Sequence, residues 1–181
     1  MSAATRGDGA GIEYVFRETS LGLALIAATG RGVRAVLLGD DRAELEADLR
    51  RRSGATLLQA GGPMADRFAD SVVTVIESPG AEVAIPLDLA GTDFQRQVWD
   101  ALMRIPAGAT ASYGEIAERI GAPGSVRAVA QACGANGVAV VVPCHRAVRS
   151  DGALAGYRWG VDRKRALLAR EAAGRLPAVP R

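Results

Sequence analysis

The chain has 181 residues but only one histidine and two cysteines, and these shortages bound its chemistry. Two cysteines are too few for a disulfide framework, and neither lies in a C-x-x-C motif. A zinc site would need Cys133, Cys144 and His145 plus a carboxylate, which is not usual zinc spacing. No metal and no cofactor is therefore expected. No apolar run approaches 18 residues, so no membrane partner is expected. Residues 1–9 lack the apolar core of a signal peptide, which predicts a cytoplasmic protein with reduced thiols. Repeats and low-complexity tracts are also missing.

Apolar residues make up 49% of the chain and charged residues 23%, the balance of an ordinary globular protein. The length suits one large domain or two small ones. A net charge of +2 hides an asymmetry. Residues 1–90 carry 9 basic and 13 acidic side chains, residues 91–140 carry 4 of each, and residues 141–181 carry 9 and 3. A basic C-terminal region can hold a polyanion or form a solvated charged helix.

Residues 1–11 read as a disordered tail and 175–181 as a second tail. The apolar runs 13–17, 21–28 and 33–38 are separated by Thr-Ser and Thr-Gly-Arg-Gly, a strand meander. Asp40 or Asp41 caps a helix through about Arg52, ended by Gly54. Pro63 opens a second helix with Met64, Phe68, Val72, Val75 and Ile76 on one face. The run 81–87 contains Pro86 and reads as an edge strand. Residues 12–88 thus form a small α/β domain with a packing role.

The region 92–174 is mainly helical. Thr92 with Gln95, and Ser112 with Glu115, are capping boxes. The second begins a short helix stopped by Gly121. Ser125 then caps a helix over 126–133, and two short helices around a glycine-containing turn make a helix-turn-helix. The last helix runs from about Asp162 to Ala173.

The chemistry centres on Pro143-Cys144-His145-Arg146, which follows the apolar run 138–142. A thiolate needs a base or cation near its sulfur, and His145 is the only imidazole. In an extended stretch neighbours point to opposite sides, so His145 reaches the sulfur only through a water. By pattern alone such a pair is more often a buried Cys beside a surface His. Glu171, four residues after Leu167, is either an interior carboxylate that orients His145 or a solvated one.

From Phe94 to Glu171 the chain resembles the O6-alkylguanine-DNA alkyltransferases. The resemblance rests on Phe94-Gln95-Arg96-Gln97-Val98-Trp99, Ile105-Pro106, Ser112-Tyr113, Arg127-Ala128-Val129, Asn136, Pro143-Cys144-His145-Arg146, Gly156-Tyr157-Arg158-Trp159-Gly160 and Arg163-Lys164. The Tyr-Arg-Trp-Gly block looks most like the C-terminal half of bacterial adaptive-response regulators, without their four-cysteine zinc module.

The resemblance implies a ribonuclease-H-like α/β domain followed by a winged helix-turn-helix. It implies irreversible, single-turnover transfer of an alkyl group, mainly methyl, from O6 of guanine and O4 of thymine to Cys144. His145 would activate the thiol through water and Glu171 would orient His145. Tyr113 would donate to the guanine ring, and Asn136 would brace the turn before the active-site strand. Arg127 would replace the flipped base in the stack. Ser125, Ala128, Gln131 and Tyr113 would meet the minor groove of double-stranded DNA. Ala139, Ala147, Tyr157, Arg158 and Trp159 would line the substrate pocket, with Trp159 limiting bulky alkyl groups. A monomer is expected. A binding-only relative would lack the Cys, and a cysteine hydrolase or thiol oxidoreductase would need an oxyanion site or a second thiol beside Cys144.

Overall fold

The computed structural model describes residues 11–54 and 57–174. Apart from Gly11, the two expected tails lie outside the described residues. The three apolar runs form the strands β1 (Ile12–Thr19), β2 (Gly22–Thr29) and β3 (Gly32–Gly39), joined by tight turns. Gly32 sits at φ 151, and a Cβ there would collide with the Pro86 carbonyl. The helix α1 (Arg42–Ser53) starts at Asp41, whose carboxylate accepts from the Glu44 amide at 2.9 Å. It ends at Gly54, which has φ 63.

A short strand β4 (Leu58–Ala60) pairs parallel with β1, and α2 (Pro63–Glu77) follows with Pro63 in its first turn. The carboxylate of Glu13 accepts from the Met64 amide at 2.7 Å, so β1 satisfies a donor at the start of α2. The sheet order is β3-β2-β1-β4. Helix α2 packs across β1, β2 and β3, and α1 against β3 and β2. From Leu23 to Ala28, β2 is buried on both faces, which explains its unbroken apolar run.

The expected edge strand at 81–87 does not form. Only Leu87 bridges to Val33, through the Val33 amide to the Pro86 carbonyl at 2.8 Å and the Asp88 amide to the Val33 carbonyl at 2.9 Å. Pro86 brings an acceptor but no donor, so the ladder stops after one bridge.

The helices α3 (Asp93–Met103), α4 (Tyr113–Arg119), α5 (Val126–Ala135) and α6 (Val161–Gly174) build the second half. Both capping boxes are present: Thr92 with Gln95, and Ser112 with Glu115. Ser125 occupies the N-cap position of α5, but its side chain makes no cap hydrogen bond. The pair β5 (Ala111–Ser112) and β6 (Ala147–Val148), parallel and two residues long, has no periodicity by which to be foreseen. One apolar core runs through both halves, and a bridge from Val36 in β3 to Val138 ties the sheet to the approach to Cys144. The whole is a mixed sheet with helices. Among the described residues no helix is long and apolar enough to cross a membrane.

Candidate active site

The segment before Cys144 is not the strand its apolar run suggests. Beyond the bridge at Val138 it coils through two γ-turns. The Val141 amide donates to the Ala139 carbonyl at 2.7 Å around Val140, whose φ of 67 is rare for a β-branched residue. The Cys144 amide donates to the Val142 carbonyl at 2.8 Å around Pro143. One side chain holds this coil. Asn136 accepts from the Val138 amide at 2.8 Å and donates to the Val142 carbonyl at 2.9 Å. Its Nδ2 also lies 3.2 Å from Cys144 Sγ. A strained φ persists only where its surroundings over-determine it, and Asn136 supplies that restraint.

Residues Cys144–Arg146 form a 3-10 turn, so Cys144 and His145 do not alternate as they would in a strand. Cys144 is 5% exposed. Burial pushes its thiol up to about 11, against the lowering effect of the Asn136 hydrogen bond and the Lys164 charge. His145 is fully buried, and its Nε2 lies 2.7 Å from Glu171 Oε1. Glu171 also accepts from Arg146 Nη2 at 2.8 Å, from Arg146 Nε at 3.1 Å and from the Gly108 amide at 3.0 Å. Arg146 Nη1 donates to the Ile105 carbonyl at 2.6 Å.

Burial alone would push the Glu171 carboxyl up. The hydrogen bonds from His145, Arg146 and Gly108 outweigh it and hold the carboxyl at about 2. An ionised carboxylate only accepts, so Nε2 of His145 carries the proton and Nδ1 is left as the basic nitrogen. Burial lowers the pKa of His145, which Glu171 opposes, so the ring tends to neutrality. A neutral imidazole held by a carboxylate beside a cysteine can act as a general base.

Tyr113 opens α4 and is half-buried. Burial pushes its phenol up to about 12, and the nearby Cys133 and Cys144 act in the same direction. Cys133 is buried in α5, and burial pushes its thiol up to about 12.

Lys164 was not among the expected site residues. It is fully buried, and its Nζ donates to the Ala147 carbonyl at 2.6 Å. Burial lowers its pKa, while Cys144 and Cys133 raise it. Lys164, Leu167 and Glu171 are the buried residues of α6, spaced as one helix face. A signal was available: among 22 basic residues Lys164 is the only lysine.

Arg127 lies on the exposed face of α5 and makes no ion pair among the described residues. Gln131 is exposed, while Ala128 and Ser125 are half-buried. Ala139 and Ala147 are fully buried. The Ala139 amide donates to the Val36 carbonyl at 2.9 Å, which engages that residue with β3. Tyr157 is buried, and its hydroxyl has no hydrogen-bond partner among the described residues. Its ring meets that of Trp159 edge-on at 5.2 Å.

Two expected pocket residues border the first half of the chain. Arg158 Nη2 pairs with Asp48 of α1 at 2.9 Å. Trp159 is 5% exposed and borders a surface depression with Leu38, Leu45 and Arg158, at the end of the sheet. The basic excess is also largely engaged. Arg146, Arg158, Arg163 and Arg165 pair with Glu171, Asp48, Asp40 and Asp162.

Residues 93–173 match the family of the 6-O-methylguanine DNA methyltransferase DNA binding domain. The chain is 45% identical over 166 residues to the bifunctional transcriptional activator/DNA repair enzyme Ada of Escherichia coli, covering 92% of this chain and 47% of that protein. It is 38% identical over 146 residues to the inducible methylated-DNA–protein-cysteine methyltransferase of Bacillus subtilis, covering 79% and 80%. The structure of Mycobacterium tuberculosis OGT in complex with DNA superposes with a TM-score of 0.75 at 38% identity, covering 92% of this chain and 96% of that one. The chain spans about half the length of several curated relatives it matches.

Proposed function

The chain belongs to the 6-O-methylguanine DNA methyltransferase family, and we propose that it repairs DNA by moving an alkyl group, mainly methyl, from O6 of guanine to Cys144. The observation that carries this reading is a buried thiol held 3.2 Å from Asn136 in the same turn as a histidine whose Nε2 lies 2.7 Å from a buried carboxylate.

Displacement at an sp3 carbon needs a thiolate, and burial of Cys144 disfavours one at rest. The proton must therefore leave as attack begins. It passes from Sγ through a water to Nδ1 of His145, and Glu171 stabilises the imidazolium. An S–C bond forms while the C–O6 bond breaks, and the guanine keeps the electron pair. Tyr113, kept protonated by burial, donates to the ring. The Lys164 charge favours the thiolate. The product is a thioether that no neighbouring group can cleave, so one protein performs one transfer. The same chemistry acts on O4 of thymine.

Inside a duplex the alkyl carbon is stacked, so the nucleotide must be extruded at a cost of a few kcal/mol. Arg127 fills the gap, with Ser125, Ala128 and Gln131 against the minor groove. Backbone carbonyls near Cys144 and Ala147 read the guanine amino group, and the Ala147 carbonyl can accept from Lys164 and from guanine together. In this reading residues 12–88 are a ribonuclease-H-like domain and 92–174 a winged helix-turn-helix domain. The protein acts as a cytoplasmic monomer on double-stranded DNA.

The test is incubation with a duplex carrying O6-methylguanine. Mass spectrometry should find one added methylene on the Cys144 peptide, at one equivalent per protein. Binding without any mass change would mean a damage-recognition protein. Methyl transfer to Cys133 would overturn the assignment of the nucleophile.

A further inference from the structure

A cleft of about 130 Å³ lies where α1 and β3 meet the turn that carries Asn136. Its lining includes Arg34, Arg52, Ser53, Trp99, Asn136 and Gly137, and no acidic side chain. Arg34 Nη1 donates to the Asp88 carbonyl at 3.1 Å. Arg52 donates through Nε to Asp48 at 3.2 Å and through Nη1 to the Ala135 carbonyl at 3.3 Å. Its Nη2 is buried with no hydrogen-bond partner among the described residues.

The surroundings are rich in positive charge. Asp88 is shared by Arg31 and Arg34, and Asp48 by Arg51, Arg52 and Arg158. Five guanidiniums thus share two carboxylates. That leaves an excess of positive charge around the cleft, which a small anion would offset.

We propose that this cleft binds a small tetrahedral oxyanion, phosphate or sulfate, between Arg34 and Arg52. The planar guanidinium fork matches such oxygens. The volume is well below the roughly 300 Å³ at which pockets for larger organic ligands begin, so a nucleotide does not fit. One wall of the cleft is Asn136, the residue that contacts Cys144 Sγ. Occupancy is therefore read at the thiol through a single side chain.

The test uses the full chain, 15N-labelled, titrated with inorganic phosphate while chloride holds the ionic strength constant. Saturable shifts should appear at the Asn136 side-chain amide and the Gly137 N–H, with a rise in Tm that chloride alone does not give. Arg52→Gln and Arg34→Gln should each weaken phosphate binding about tenfold or more. If Arg52→Gln does not fold, Arg34→Gln decides alone, since it leaves the Arg52–Ala135 bond in place. Shifts that spread over the Arg127 face without saturating overturn the site, as does an equal response to chloride. A loss of duplex binding in these variants with phosphate affinity unchanged would assign the guanidiniums to the DNA backbone and also overturn it.

Discussion

Glu171 Oε1 lies 2.7 Å from His145 Nε2, and neither side chain has measurable exposure to solvent. The pair joins the turn after Cys144 to the last turns of α6 and fixes which histidine nitrogen is basic. Arg146 and the Gly108 amide share the same carboxylate, so one buried anion serves three neighbours.

That carboxylate makes the fold acid-sensitive. Glu171 has its pKa lowered from 4.5 to about 2, so its stabilising contribution is full above pH 4.5 and is lost as pH falls toward 2. The lowered pKa of His145 acts with the same sign, because the unfolded chain takes up a proton that the folded chain resists. Urea midpoints should therefore begin to fall below the ordinary histidine range, near pH 6.5, and fall further below 4.5. Glu171→Gln should cost about 3–5 kcal/mol at pH 7, since it leaves Arg146 buried without its partner. Its stability should then change less than that of the parent between pH 4.5 and 2. Parallel pH profiles for the two proteins would remove Glu171 from this role.

Cys144→Ser should bind damaged duplex with unchanged affinity and transfer nothing, because a hydroxyl is a far poorer nucleophile near neutrality. Cys133→Ser should transfer at nearly the parental rate. Gel shift and peptide mass spectrometry read the two properties separately. Transfer that survives in the first variant and fails in the second would exchange the roles of the two thiols.

Arg127→Ala should slow repair of duplex DNA far more than transfer from a free O6-alkylguanine base, which needs no extrusion. The salt dependence of duplex binding should also become shallower. Because five of the C-terminal arginines are paired internally, the parental slope should be smaller than the basic excess of residues 141–181 suggests. Equal losses on the two substrates would show that Arg127 does not hold the base out.

Trp159→Ala should lower stability by about 3–5 kcal/mol, as for a buried Trp removed from a core. The indole is 5% exposed and packs edge-on to Tyr157. A melting curve together with rates on methyl and benzyl substrates gives the answer. Faster benzyl transfer with an unchanged Tm would instead make Trp159 a wall of the substrate pocket.

Much of this architecture is local in origin and was legible as such. Asp41, Thr92 and Ser112 cap helices because a short side-chain oxygen meets a backbone amide three residues away. The meander of β1 to β3 follows from three apolar runs with turn residues between them. Cys144 and His145 stood out by scarcity alone, and the family resemblance supplied partners for them. What the tertiary structure decided is whatever depends on contacts between distant residues. The run 138–142 has strand composition, yet Asn136 and the bridge to Val36 hold it as turns, because their hydrogen bonds outweigh β propensity. Arg158 turned to Asp48, 110 residues away, an ion pair that no local pattern encodes. Lys164 reads like its arginine neighbours in sequence, and only the packing of α6 against the thiol site shows that it is buried. Periodicity reports which face of a helix is apolar, but a buried charge depends on the partners that the fold brings to it.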